Sequence, residues 1–166
     1  MPLLWTPSHV VADITLPGNT TNIDVANLDY NNDGPWQFYL MVHNPTGSTT
    51  EYRLFFNGDY VIANYYAQWI KVVGGVRSSA RINKPNVEIL SAGLSSIVFG
   101  TIMVDAADYA RFHGINCRKI TTALELIEYG ICKNSTVANI TSLRIASTIA
   151  NGLSAGTRLI ITRIAH

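Results

Sequence analysis

The sequence predicts an all-β protein, an antiparallel β-sandwich of jelly-roll type with about 8–10 strands and little helix. Three observations carry this expectation. Stretches rich in Val, Ile, Thr, Tyr and Phe recur at the roughly 8–12-residue spacing of sandwiches and barrels. Clusters of Gly, Pro, Asn and Asp separate them, and no helical periodicity runs far enough to stand without packing.

The candidate strands follow in chain order. His9 to Leu16 stops at Pro17-Gly18-Asn19, and Asn22 to Leu28 stops before the cluster Asn31-Asn32-Asp33-Gly34-Pro35. Trp36 to His43 and Tyr52 to Phe56 flank Asn44-Pro45-Thr46-Gly47-Ser48, residues that preset a turn or tolerate positive φ. After Asn57-Gly58-Asp59 come Tyr66 to Val73 and Val76 to Ile82, joined by Gly74-Gly75 as a tight hairpin. Ser96 to Val104, Arg111 to Cys117, Ala123 to Tyr129, Leu143 to Ile149 and Thr157 to Ile164 complete the series. Some of these are expected to merge or fail, leaving about nine strands. Val104 to Tyr109 could form one helical turn, and Ala123 to Tyr129 fits a short helix as well as a strand. Tyr52 to Phe56 and Arg158 to Ile164 alternate incompletely, which implies burial on both faces in places.

Length and charge bound the function. The 166 residues suit one domain, read as residues 8–166, preceded by an arm over residues 1–7. Only 14% of residues are charged and the net charge is +1, which disfavours a nucleic-acid backbone or an anionic membrane as partner. No window reaches the apolar length of a membrane span, so membrane insertion is not expected, and Met1 to Trp5 lacks the pattern of a secretion signal. A surface this poor in charge favours life in an assembly, where other subunits cover it. Two cysteines make no disulfide framework and lack zinc-site spacing; Cys117 and Cys132 are expected as buried thiols, with a bridge between neighbouring strands as the alternative.

No motif carries a catalytic expectation, and no cofactor or metal is expected. Gly152-Leu153-Ser154-Ala155-Gly156 matches the nucleophile-elbow pattern, but it precedes a strand, and no acid follows Ser154. A glycine-rich turn explains it. Asp29 to Gly34 reproduces half of a calcium loop, yet its twelfth position is Leu40, so an Asx-rich turn is the better reading. The four histidines show no metal-ligand spacing, and no glycosidase-type acid pair stands out. Asn19, Asn134 and Asn139 begin glycosylation sequons, which matter only in a host that uses them.

Two sets of residues are binding candidates. Tyr60, Tyr65, Tyr66 and Trp69 cluster after the Asn57-Gly58-Asp59 turn, as aromatics for an interface or a sugar, or else as filling for the core and its rim. Tyr65 and Tyr66 are adjacent, so in extended backbone one should face outward. Leu3, Leu4 and Trp5 make the amino-terminal arm a candidate anchor, to lie across a neighbour as an added strand or wedge; a strand closing the protein's own core is the alternative.

Three stretches together resemble a sandwich module of virion proteins from tailed bacteriophages and related prokaryotic viruses. They are Leu28 to Leu40 with Asn44-Pro45-Thr46, Tyr52 to Asp59 with Asn64 to Trp69, and Leu143 to Leu153 with Ala155 to Ile161. The region from Asp105 to Tyr129, with Cys117, departs from that module, as does Cys132. The resemblance implies a non-enzymatic virion structural protein located on the capsid surface or an appendage. A capsid decoration or cement protein is the first expectation, because the chain is short, lacks a stalk and is barely charged. Its partners would be itself, as a homotrimer, and the major capsid protein or other virion subunits. The alternative is a receptor- or carbohydrate-binding head of a fibre, spike or turret, stacking a host-surface glycan on Tyr60, Tyr65, Tyr66 or Trp69 with Asn57 and Asp59 as polar partners.

Overall fold

The structure, a computed structural model, describes residues 10–120 and 123–164. Among these residues twelve strands form, not the eight to ten expected: β1 (Val10–Thr15), β2 (Asn22–Val25), β3 (Trp36–His43), β4 (Thr50–Phe56), β5 (Tyr65–Val73), β6 (Val76–Ile82), β7 (Asn86–Leu90), β8 (Ser95–Val104), β9 (Tyr109–Ile120), β10 (Ala123–Thr136), β11 (Leu143–Ser147) and β12 (Arg158–Arg163). All eleven candidates stand as separate strands. The twelfth, β7, escaped notice because its Asn86 and Glu88 put polar groups where a core strand should show apolar ones.

The strands make two antiparallel sheets, one ordered β1-β12-β3-β8-β9-β10-β5-β6 and the other β2-β11-β4-β7. The quartet β1-β12-β3-β8 with the quartet β2-β11-β4-β7 is the two-Greek-key arrangement of a jelly roll. Two hairpins, β5–β6 and β9–β10, are added to one side of the first quartet and double its width. The hairpin tip at Gly74 and Gly75, with φ of 54° and 86°, is the positive-φ turn anticipated from the glycine pair.

Alternation along the strands builds the core. Trp36, Phe38, Leu40 and Val42 of β3 point inward and are buried, and so do Tyr52, Leu54 and Phe56 of β4 from the opposite sheet. The Phe38 and Phe112 rings meet edge-on at 5.2 Å. Gly100 and Gly114, paired across β8 and β9, make room for Phe112: a Cβ on either would collide with its ring. Ala123 to Tyr129, ambiguous between helix and strand, becomes part of β10 because β9 and β5 pair with it on both sides. Asp29 to Gly34 is not simply an Asx turn: Tyr30–Asp33 winds as one helical turn, α1, with Asp29 accepting from the Asn32 and Asn139 side chains at its start. Between Val104 of β8 and Tyr109 of β9 the chain makes a turn and no helix, with Asp108 at φ 61°.

Candidate interaction surfaces

The aromatic cluster predicted after Asn57 does not assemble as one platform. Tyr65 is fully buried; its hydroxyl donates to the Asp59 carbonyl at 2.8 Å and accepts from the Phe56 N–H at 3.0 Å. Trp69 is half-buried against the core. Tyr66 faces out from the wide sheet with the Arg81 guanidinium 5.2 Å above its ring, so the adjacent tyrosines do point to opposite faces. Tyr60 is exposed at the narrow sheet, where Arg144 lies 4.1 Å over its ring and Phe55 packs edge-on. Each exposed ring already has an arginine on it.

Asn57 and Asp59, the expected polar partners of a ligand, are spent on the fold. Asn57 takes a left-handed φ of 52° and donates to the Asn139 carbonyl at 2.7 Å while accepting from the Thr141 N–H at 2.8 Å. Asp59 pairs with Lys133 at 2.9 Å and accepts from Asn64. Burial pushes its carboxyl up, but Lys133 and Asn64 outweigh this and hold it below the usual range. Leu3, Leu4 and Trp5 lie outside the described residues.

A charged cluster that no sequence pattern announced sits between the sheets where β7 crosses β9 and β10. Glu88 is fully buried and accepts from Asn116 Nδ2 at 2.7 Å and Arg118 Nη1 at 3.1 Å. The same guanidinium grips Glu125 through Nε and Nη2, all at 3.1 Å, and Lys71 adds a 2.6 Å contact to Glu125. The cations therefore favour Glu125. Burial raises the Glu88 carboxyl to about 7 despite the charge of Arg118. Burial also pushes Glu125 upward, but Lys71 and Arg118 win and hold it low. The guanidinium fills the space between the carboxylates, so the arrangement clamps two sheets together.

Ser154 of the elbow-like motif is buried in the turn before β12, with its hydroxyl 3.4 Å from that of Thr157. Among the described residues no three His, Cys, Asp or Glu side chains converge in a metal-binding group. The cysteines correct their expectation in part. Cys117 is exposed, and Cys132 is intermediate; both are free thiols. Cys117 stands opposite Leu126 and Cys132 opposite Arg111, six positions apart along β9, about 20 Å at strand rise. They cannot bridge within one chain.

The two outer faces differ. On the narrow sheet charges are paired: Arg144 with Asp24 at 2.6 Å, Arg53 with Glu51 at 2.6 Å, and Lys84 with Glu51 at 3.0 Å. On the wide sheet the registers align two apolar rows across the strands. One runs Met41, Ile97, Cys117, Leu126, Val72; the other runs Ile160, Tyr39, Phe99, Ile115, then Glu128 and Ile70. Met41, Ile97, Phe99, Ile115, Leu126 and Ile70 are each 41–47% exposed. A shallow depression of about 420 Å³ opens among Tyr39, Met41, Phe99 and Ile160. Of the charged groups on this face, Arg158 pairs with Asp13 at 2.6 Å and Glu128 meets the His113 ring at 2.7 Å, while Arg77 and Arg81 at the β6 edge have no carboxylate partner among the described residues.

Comparison with protein-family models, curated proteins and solved structures finds no match in any of the three.

Proposed function

We propose that this chain is a non-enzymatic assembly subunit, and that the outer face of its wide sheet packs against further copies of itself in a homo-oligomer. The observation that carries the reading is the asymmetry of the two outer faces: one bears ion pairs, the other two rows of half-exposed Met, Ile, Leu and Phe. Counting Leu124, Met103 and Tyr66 with the six residues above, and taking about 150–250 Å² for each large side chain, the face offers roughly 600–1,000 Å² of partner surface, a span that includes the ~800 Å² per partner of a standard interface. Arg158 and Arg111 on this face pair within the chain, with Asp13 and Asp105, and the unpaired Arg77 and Arg81 stand at its β6 edge, away from the rows over β3, β8 and β9.

The particle setting rests on the resemblance to phage virion modules, and with it the role of capsid decoration or cement protein, the trimer and the contact with a major capsid protein. A jelly roll serves viral shells and lectins alike, so fold alone does not choose between them. The receptor-binding alternative is the weaker reading: the exposed rings of Tyr60 and Tyr66 lie on different faces, each under an arginine. Cosedimentation with purified virions, followed by counting copies, tests the decoration role. Hundreds of copies per particle support it; binding to a glycan array without particle association would replace it with the head domain.

A further inference from the structure

Among the described residues the two sheets end in four edge strands, and β6 differs from the other three. β1 shifts register between Val10 and Ala12, β2 has four residues, and β7 has five and a shift in its pairing with β4. Such devices discourage pairing with another chain. β6 has seven residues, no proline and an unbroken register from Val73↔Val76 to Ala67↔Ile82.

The hairpin fixes which groups it offers. With a two-residue turn, Val73 and Val76 exchange both backbone hydrogen bonds, so Val76, Ser78, Ala80 and Ile82 direct their N–H and C=O to β5. Arg77, Ser79 and Arg81 therefore turn theirs to the open edge. These three side chains are exposed and stand on the outer face, Arg77 and Arg81 about 13 Å apart.

Charge identifies what fits there. Every other arginine and lysine whose side chain is described is paired with a carboxylate. Arg77 has no such partner among the described residues, and Arg81 meets only the Tyr66 ring. A second copy paired antiparallel about Ser79 would set Arg77 opposite Arg81, like charge against like charge. An acidic strand meets the reverse condition. We propose that β6 is a docking edge for an extended acidic segment of a different polypeptide, added as a further strand with carboxylates four residues apart facing Arg77 and Arg81. This goes beyond the assembly reading: the N–H and C=O groups of the β6 edge lie in the plane of the wide sheet and not on its outer face.

The test titrates the isotope-labelled full chain with a capped peptide containing Glu-Val-Thr-Val-Glu and with its Lys-Val-Thr-Val-Lys counterpart, following backbone amides by NMR. The acidic peptide should shift the Arg77, Ser79 and Arg81 amides and bind at least about ten-fold tighter than the basic one, weakening with salt. The double variant Arg77→Glu with Arg81→Glu, whose altered side chains lie outside the core, should melt like the wild type and reverse the preference. Equal binding of the two peptides, an unchanged preference in the double variant, or no shift at millimolar acidic peptide would overturn the proposal. The peptide preference is read separately from the oligomeric mass, so failure of one leaves the other standing.

Discussion

Replacing Glu88 by Gln should flatten the dependence of stability on pH. In the native state burial holds the Glu88 carboxyl at about 7, against 4.5 for the free group. A group raised on folding stabilises fully below its unfolded pKa and loses that contribution as pH climbs through the folded one. The window is thus about pH 4.5 to 7, and at about 1.4 kcal/mol per unit the loss reaches about 3 kcal/mol. Glu125 is held low, so its contribution is already in place above that window. Gln keeps the shape and carries no charge to bury: its one amide oxygen can accept from Arg118, and its NH2, in place of the oxygen that took Asn116 Nδ2, can donate to the unpartnered Asn116 Oδ1 once that amide turns. Urea unfolding of wild type and Glu88→Gln should agree near pH 4 and diverge toward pH 9, where the variant is more stable by up to about 3 kcal/mol. Parallel curves across this range would show that Glu88 does not titrate as its burial demands.

Gly114→Ala places a Cβ against the Phe112 ring and the Phe99 carbonyl, so thermal unfolding should show a loss of about 1–3 kcal/mol or more, whereas Gly130→Ala, with open space above it, should cost far less. Under native conditions a thiol reagent should find two free cysteines. In the single chain Cys117 should react first, because it is exposed there and burial raises the Cys132 thiol above its ordinary value; in the oligomer, where the Cys117 row on the wide sheet is covered, its reaction should slow, and an intrachain bridge seen by non-reducing mass spectrometry would contradict the register of β9 and β10. Asn57→Ala should lose about 1–3 kcal/mol in denaturant unfolding through the orphaned Thr141 N–H and the left-handed backbone, and Asn57→Gly should recover the backbone part only.

The jelly roll was legible because its strands obey local rules. The Gly74-Gly75 pair dictated a hairpin, and Pro17-Gly18, Asn44-Pro45 and Asn57-Gly58 cut the chain where the structure turns. What escaped was set by contacts distant in sequence. β7 reads as polar because Glu88 meets Asn116 and Arg118, some thirty residues on, and those partners make its burial tolerable. The segment from Ala123 could not declare itself a strand until β5 was known to lie alongside it. The aromatics after Asn57 form no single platform because neighbours in sequence are not neighbours on one surface: the pleat sends Tyr65 inward and Tyr66 outward, and the loop sends Tyr60 to the other sheet. The apolar outer face did leave a trace. The incomplete alternation of Arg158 to Ile164 implies burial on both faces, and its outward Ile160 stands in one of the two rows; Ser96 to Val104 holds the same signal, unread, in Ile97, Phe99 and Met103, which are left half-exposed in the single chain.

That face is best tested by mass. Sedimentation equilibrium of the full chain at tens of micromolar should return a multiple of 18.2 kDa, and Phe99→Lys with Ile115→Lys should return the single-chain mass with an unchanged circular dichroism spectrum. A wild-type mass of 18.2 kDa, or an oligomer that survives both lysines, would contradict the central claim that the wide sheet's outer face joins copies of this chain.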